Sequence, residues 1–64
     1  MRWTDVSEIA IELAEAYPEI DPLQVNFLDL MNWVLALPGF EDDARHCGEK
    51  VLEAIQQAWI EERQ

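Results

Sequence analysis

The sequence predicts an all-α domain of three to four short helices. Three observations carry that expectation. Half of the 64 residues are hydrophobic, and they recur at helical spacing. Tyr17-Pro18, Asp21-Pro22, Pro38-Gly39 and Gly48 cut the chain into helix-length pieces. No stretch shows sustained period-two alternation, so no strand is expected.

The first helix is expected from about Asp5 to Tyr17. Asp5 with Glu8 three residues on has the form of a capping box. Val6, Ile9, Ala10, Leu13 and Tyr17 make one apolar face. Asp5, Glu8, Glu12 and Glu15 fall at intervals of 3, 4 and 3, in a narrow arc away from that face. Pro18 ends the helix by restricting Tyr17 and removing an amide donor.

A short second helix starts at Asp21-Pro22. Asp is a good N-cap, Pro suits the first helical position, and Gln24 completes a capping box. One or two turns are expected, to about Val25 or Asn26. The third helix covers about Phe27 to Leu37, with Phe27, Leu30, Trp33, Val34 and Leu37 on one stripe and Pro38-Gly39 as the stop. A polar segment, Glu41 to Gly48, leads to a last helix over about Glu49 to Glu62. Its inward stripe is Val51, Leu52, Ile55, Ala58 and Trp59. Trp3, Trp33 and Trp59 are expected in the core or at its edge.

A length of 64 residues implies a single domain, 1–64, of modest stability. One cysteine, Cys47, excludes an intrachain disulfide, and Cys47 with His46 is too few soft ligands for a structural zinc. Apolar runs are too short for a membrane span. Met1-Arg2-Trp3-Thr4-Asp5 has the form of neither a signal nor a transit peptide, so a cytoplasmic protein is expected.

Charge narrows the function classes further. Fourteen acids face four Lys and Arg residues, a formal net charge of −10. Between Arg2 and Arg45 lie ten carboxylates and no Lys, Arg or His. Such a surface repels phosphate backbones and anionic lipid heads, and attracts basic protein patches and hard cations. A helix-turn-helix arrangement of the short helices would normally invite DNA. Phe27 to Leu37, where a recognition helix would lie, has no base at all, so no nucleic-acid partner is expected.

No enzymatic activity is expected. Adjacent His46 and Cys47 do not readily make a nucleophile–base pair, and no Gly-rich phosphate loop is present. Cys47 is expected to be structural. Glu41-Asp42-Asp43 lacks the alternating acids and central Gly of an EF-hand loop. The only serine, Ser7, is not placed to carry a prosthetic arm as in an acyl carrier protein. On spacing alone, two readings of the acids stand: a solvated face, and an interaction surface that also holds a hard cation weakly through oxygen ligands.

The chain resembles a known family in order and spacing. Trp3-Thr4-Asp5, Tyr17-Pro18-Glu19-Ile20-Asp21-Pro22, Val25-Asn26-Phe27-Leu28-Asp29-Leu30, Trp33, Phe40-Glu41-Asp42-Asp43 and Glu49-Lys50-Val51-Leu52-Glu53-Ala54-Ile55 with Trp59 are similar to the IscX (YfhJ) family of bacterial iron–sulfur cluster assembly. The resemblance covers essentially the whole chain. It implies an all-α fold related to the winged-helix class and used for protein contact. It also implies binding to the cysteine desulfurase IscS, a pyridoxal-phosphate enzyme, in competition with bacterial frataxin, together with weak iron binding and tuning of desulfurase activity.

Asp5, Glu8, Glu15, Glu19, Asp21, Asp29, Glu41, Asp42 and Asp43 match acidic positions of the family pattern and are the implied weak iron ligands. The expected partner surface is Asp5, Glu8, Glu12, Glu15, Glu19, Glu41, Asp42 and Asp43; Glu12 has no clear family counterpart but shares the helical stripe. Two departures are local. Leu28 replaces a usual Thr, leaving Asn26 as the expected cap. Ala44-Arg45-His46-Cys47-Gly48 replaces a Pro-containing run and is expected to be more basic and more flexible. The implied function is a monomeric adaptor that binds IscS in an iron-dependent way; the alternative is an iron donor for cluster assembly. Charge alone also admits an anionic DNA mimic, which the resemblance does not support.

Overall fold

The computed structural model describes residues 1–64. It contains three α-helices, α1 (Val6–Ala16), α2 (Phe27–Leu35) and α3 (Glu49–Glu62). Single 3₁₀ turns at Pro22–Gln24 and Ala44–His46 lie in the two connections, and there is no strand. The all-α expectation is met, and the helix order is compatible with a helix-turn-helix-like variant of the winged-helix class.

The start of α1 departs from the capping-box reading. Asp5 occupies the N-cap position, but its side chain makes no cap bond. The N-terminal residues form a turn instead. The Asp5 N–H donates to the Arg2 carbonyl at 2.9 Å, and the Asp5 carboxylate accepts from the Arg2 N–H at 2.8 Å. That carboxylate is therefore engaged outside the helix. Ile9, Ala10 and Leu13 are buried as expected, with Val6 and Tyr17 half-buried beside them. The Tyr17 N–H closes the helix on the Leu13 carbonyl, and Pro18 follows.

Asp21 caps the first 3₁₀ turn by accepting from the Leu23 N–H at 3.0 Å. The turn lasts only three residues, too short for Gln24 to complete a capping box, and Gln24 is exposed. Two contacts fix this turn to α3. Gln56 Nε2 donates to the Pro22 carbonyl at 2.7 Å, and Arg63 Nη1 donates to the Ile20 carbonyl.

α2 has the cap that Leu28 cannot supply. Asn26 Oδ1 accepts from the Asp29 N–H at 2.9 Å, while Asn26 Nδ2 donates to the Asp29 carboxylate at 3.2 Å. The helix stops at Leu35, two residues short of the expected end. Leu37 N–H has already tightened onto the Val34 carbonyl, and Leu37 itself is buried. Gly39 then turns the chain with φ +83°, a left-handed conformation that favours glycine.

α1 and α3 make the largest helix–helix contact, with α2 against both. Leu30 and Val34 of α2, and Leu52, Ile55 and Trp59 of α3, complete the core as their stripes predict. Each such burial contributes about 1.5–3 kcal/mol. Trp33 sits at the edge, stacked on Tyr17 (5.1 Å between centroids) and edge-on to Trp59 (6.3 Å). The Trp59 Nε1 atom is buried without a hydrogen-bond partner, so complete burial of that indole outweighs an unmade bond.

Candidate functional site

The acids fall into two groups with different surroundings. The first lies along α1. Asp5, Glu8 and Glu15 are exposed, and Glu12 is half-buried at the flank of the Ile9 stripe. They stand on one side of the helix because the spacing 3, 4, 3 keeps them within a turn-aligned row, about 15 Å long at 1.5 Å per residue. None has a cationic group within 4.0 Å; every ion pair in the molecule involves Asp42 or Asp43. Glu19, Asp21, Asp29 and Glu41 are also exposed and free of ion pairs. Asp21 and Asp29 meet only the local amide donors described above.

The second group is the corner formed by residues 1–3 and 39–47. The Met1 ammonium donates to the Gly39 carbonyl at 2.7 Å, and the Glu41 N–H donates to the Met1 carbonyl at 2.9 Å. Trp3 is 2% exposed and packs edge-on against Phe40 at 4.8 Å. Its N–H donates to Asp42 Oδ2 at 3.2 Å, and its indole Nε1 donates to the Asp43 carbonyl at 2.8 Å. Asp42 Oδ1 also accepts from the Asp43 N–H at 2.8 Å and lies 2.7 Å from His46 Nδ1. Arg2 Nη1 stands 4.0 Å from the same oxygen.

Asp43 starts the second 3₁₀ turn by accepting from the Arg45 N–H at 2.9 Å, and its carboxylate takes the Arg45 guanidinium at 2.9 Å. In the segment expected to be flexible, Asp43 caps the turn and Arg45 folds back on its own cap. His46 beside Asp42 holds that carboxyl at about 2, with the Asp43 amide adding to the effect. Asp42 in turn raises His46, chiefly through the same hydrogen bond. The Arg45 side chain and amide lower Asp43. Burial raises the Cys47 thiol, the opposite of what a reactive cysteine needs.

No group of three or more His, Cys, Asp or Glu side chains is brought together in a way that could hold a metal ion. The structure spreads the candidate ligands over α1, the 19–21 turn, the start of α2 and the 41–43 corner. A shallow groove of about 280 Å³ lies between the first 3₁₀ turn and the end of α3, lined by Asp21, Pro22, Leu23, Ile60, Arg63 and Gln64. It contains no candidate nucleophile or base pair. No helix is long and apolar enough to cross a membrane.

The sequence as a whole, residues 1–64, matches the protein family described as iron-sulphur cluster assembly. The chain belongs to this family, the IscX (YfhJ) family. It is also similar to a Pseudomonas aeruginosa protein described as uncharacterized protein PA3808, with 65% identity over 63 residues, 98% of this chain and 96% of that one. For an IscX chain, the acids on α1 present their carboxylates outward without internal counter-ions. Sequence reasoning did not find the partners of Asp42 and Asp43. One signal for them existed in the spacing: Asp43 stands two residues before Arg45 and Asp42 four before His46, within reach of a local turn.

Proposed function

We propose that this IscX protein is a non-enzymatic cytoplasmic adaptor that docks on the cysteine desulfurase IscS and modulates sulfur delivery for cluster assembly, with iron setting the strength of the effect. The observation that carries this reading is the row of Asp5 at the N-cap and Glu8, Glu12 and Glu15 along α1, about 15 Å of carboxylates with no cation within 4.0 Å. Unpaired charge on a rigid helix retains its full field for a partner. A cationic groove on the pyridoxal-phosphate enzyme supplies the complement, and the same groove is where bacterial frataxin would compete. Attraction of this kind raises the association rate and fades over a Debye length of about 8–10 Å.

Iron enters as a weak, shared ligand of dispersed carboxylates, which supports the adaptor over the iron-donor reading. Hard oxygen donors suit iron, but affinity without a formed cage is low.

Titrating IscS with this protein at low and high ionic strength tests the proposal. Affinity should fall by about tenfold or more as salt rises from 50 mM, since several exposed charges act together. Affinity independent of salt rejects charge as the driver. A saturable iron site with a defined set of shifted amides would favour the iron donor instead.

A further inference from the structure

Asp42 and Asp43 differ from every other candidate acid in what already touches them. The Asp42 side chain is only 10% exposed and is met by the Trp3 N–H, the Asp43 N–H, His46 and, at 4.0 Å, Arg2. Asp43 is closed by the backbone and guanidinium of Arg45, whose own side chain is 87% exposed. The corner thus sets the Met1 ammonium, Arg2 and Arg45 against Glu41, Asp42 and Asp43, and among the ion-paired side chains Arg45 is the most exposed. The α1 row presents the reverse: carboxylates on three exposed residues and one half-buried one, with no cation within 4.0 Å.

We infer that Asp42 and Asp43 are an internal clasp holding Trp3 and the N-terminus against the 39–47 segment, so that a cationic protein partner meets the α1 row and not this corner. The inference rests on the docking reading above and delimits its surface. Three physical reasons support it. Three hydrogen bonds already reach the Asp42 carboxylate, two of them on Oδ1, so it offers a partner's Lys or Arg fewer acceptor sites than a free carboxylate does. A corner with balanced charges exerts little long-range pull on a cation. An outward Arg45 repels a basic surface, which makes the corner a boundary that fixes how the partner sits.

The test compares two variants against IscS and adds a footprint on the unaltered chain. Asp42→Asn/Asp43→Asn should lower the thermal midpoint yet bind within about twofold of the wild type below that midpoint. Glu8→Gln/Glu12→Gln/Glu15→Gln should keep the thermal midpoint and weaken binding by about tenfold, as expected for several exposed charges acting together. Hydrogen exchange of the wild-type complex should protect the α1 face and leave residues 42–46 unchanged, an outcome that does not depend on either variant folding. Protection of 42–46, or an affinity loss in the folded Asp42/Asp43 variant equal to that of the α1 variant, overturns the clasp assignment while leaving acidic docking intact. Wild-type affinity in the α1 variant overturns the docking reading and this inference with it.

Discussion

Trp3 Nε1 donates to the Asp43 carbonyl at 2.8 Å across 40 residues of sequence. This bond ties a segment that precedes every helix to the connection between α2 and α3. It accounts for an aromatic residue at the start of the chain being 2% exposed. The same corner gives Asp42 and Asp43 of the acidic run before the second 3₁₀ turn partners within the chain.

Trp3→Ala should destabilise the fold by about 3–5 kcal/mol, the usual cost of removing a buried Trp. For a domain of this size that is a large part of the total stability. Urea unfolding followed by far-UV circular dichroism measures it. Trp3→Phe should recover part of the loss, since the ring remains and only the indole donor and some volume go. Equal stability of Trp3→Ala and wild type would show that the corner contributes nothing.

The Asp42–His46 pair gives the corner a defined pH window. Asp42 is depressed from 3.8 to about 2, so its stabilisation is fully present above 3.8 and is lost as pH falls through about 2. His46 is raised from 6.5, so its contribution is fully present below 6.5 and is lost as pH rises through the higher folded value. The pair is at full strength between about pH 4 and 6.5. The Trp3 indole proton resonance, followed by NMR from pH 4 to 9, should shift on the alkaline side as His46 loses its proton. His46→Gln should remove that alkaline change. Its persistence in the variant would assign the effect to another group.

The two N-cap positions should respond differently to the same substitution. Asn26→Ala removes a real cap of α2 and should cost about 1 kcal/mol. Asp5→Ala removes no cap bond from α1 and should cost less, through loss of the contact with the Arg2 N–H. Thermal melts of both variants at one pH decide the order. A larger loss for Asp5→Ala would mean that the capping box forms in solution.

Gly39→Ala should destabilise by about 1–2 kcal/mol although nothing lies within 4 Å of the added methyl group. The cost is conformational, since φ is +83° at this position. Gly48→Ala meets equally open space without a positive φ and serves as the control. Chemical denaturation of the pair separates backbone strain from crowding.

The helices were legible because their stripes are regular. Ile9, Leu13, Leu30, Val34, Leu52, Ile55 and Trp59 are all buried where period 3.6 places them. The ends were less so. Asp5 reads as a cap in sequence because capping preference is local, whereas its real partner is set by a turn in the preceding residues. Leu35 ends α2 early because Leu37 is drawn into the core ahead of Pro38. Of the candidate site, the α1 row follows from spacing alone. The contact of Asp42 with Arg2 and Trp3 does not, because those residues arrive from the other end of two helices, whereas Asp42 with His46 and Asp43 with Arg45 are neighbours in the chain whose pairing was open to a local reading.

The bond between residues 3 and 43 also orders events in time. Trp3 precedes its acceptor by 40 residues, and the 11-residue α1 is too short to be stable alone, so the indole has no burial site until the later segments pack. Closing so long a loop carries an entropic cost that must be met by later contacts. Burial of the Trp3 indole therefore reports that the two ends of the α1–α2 unit have closed on each other.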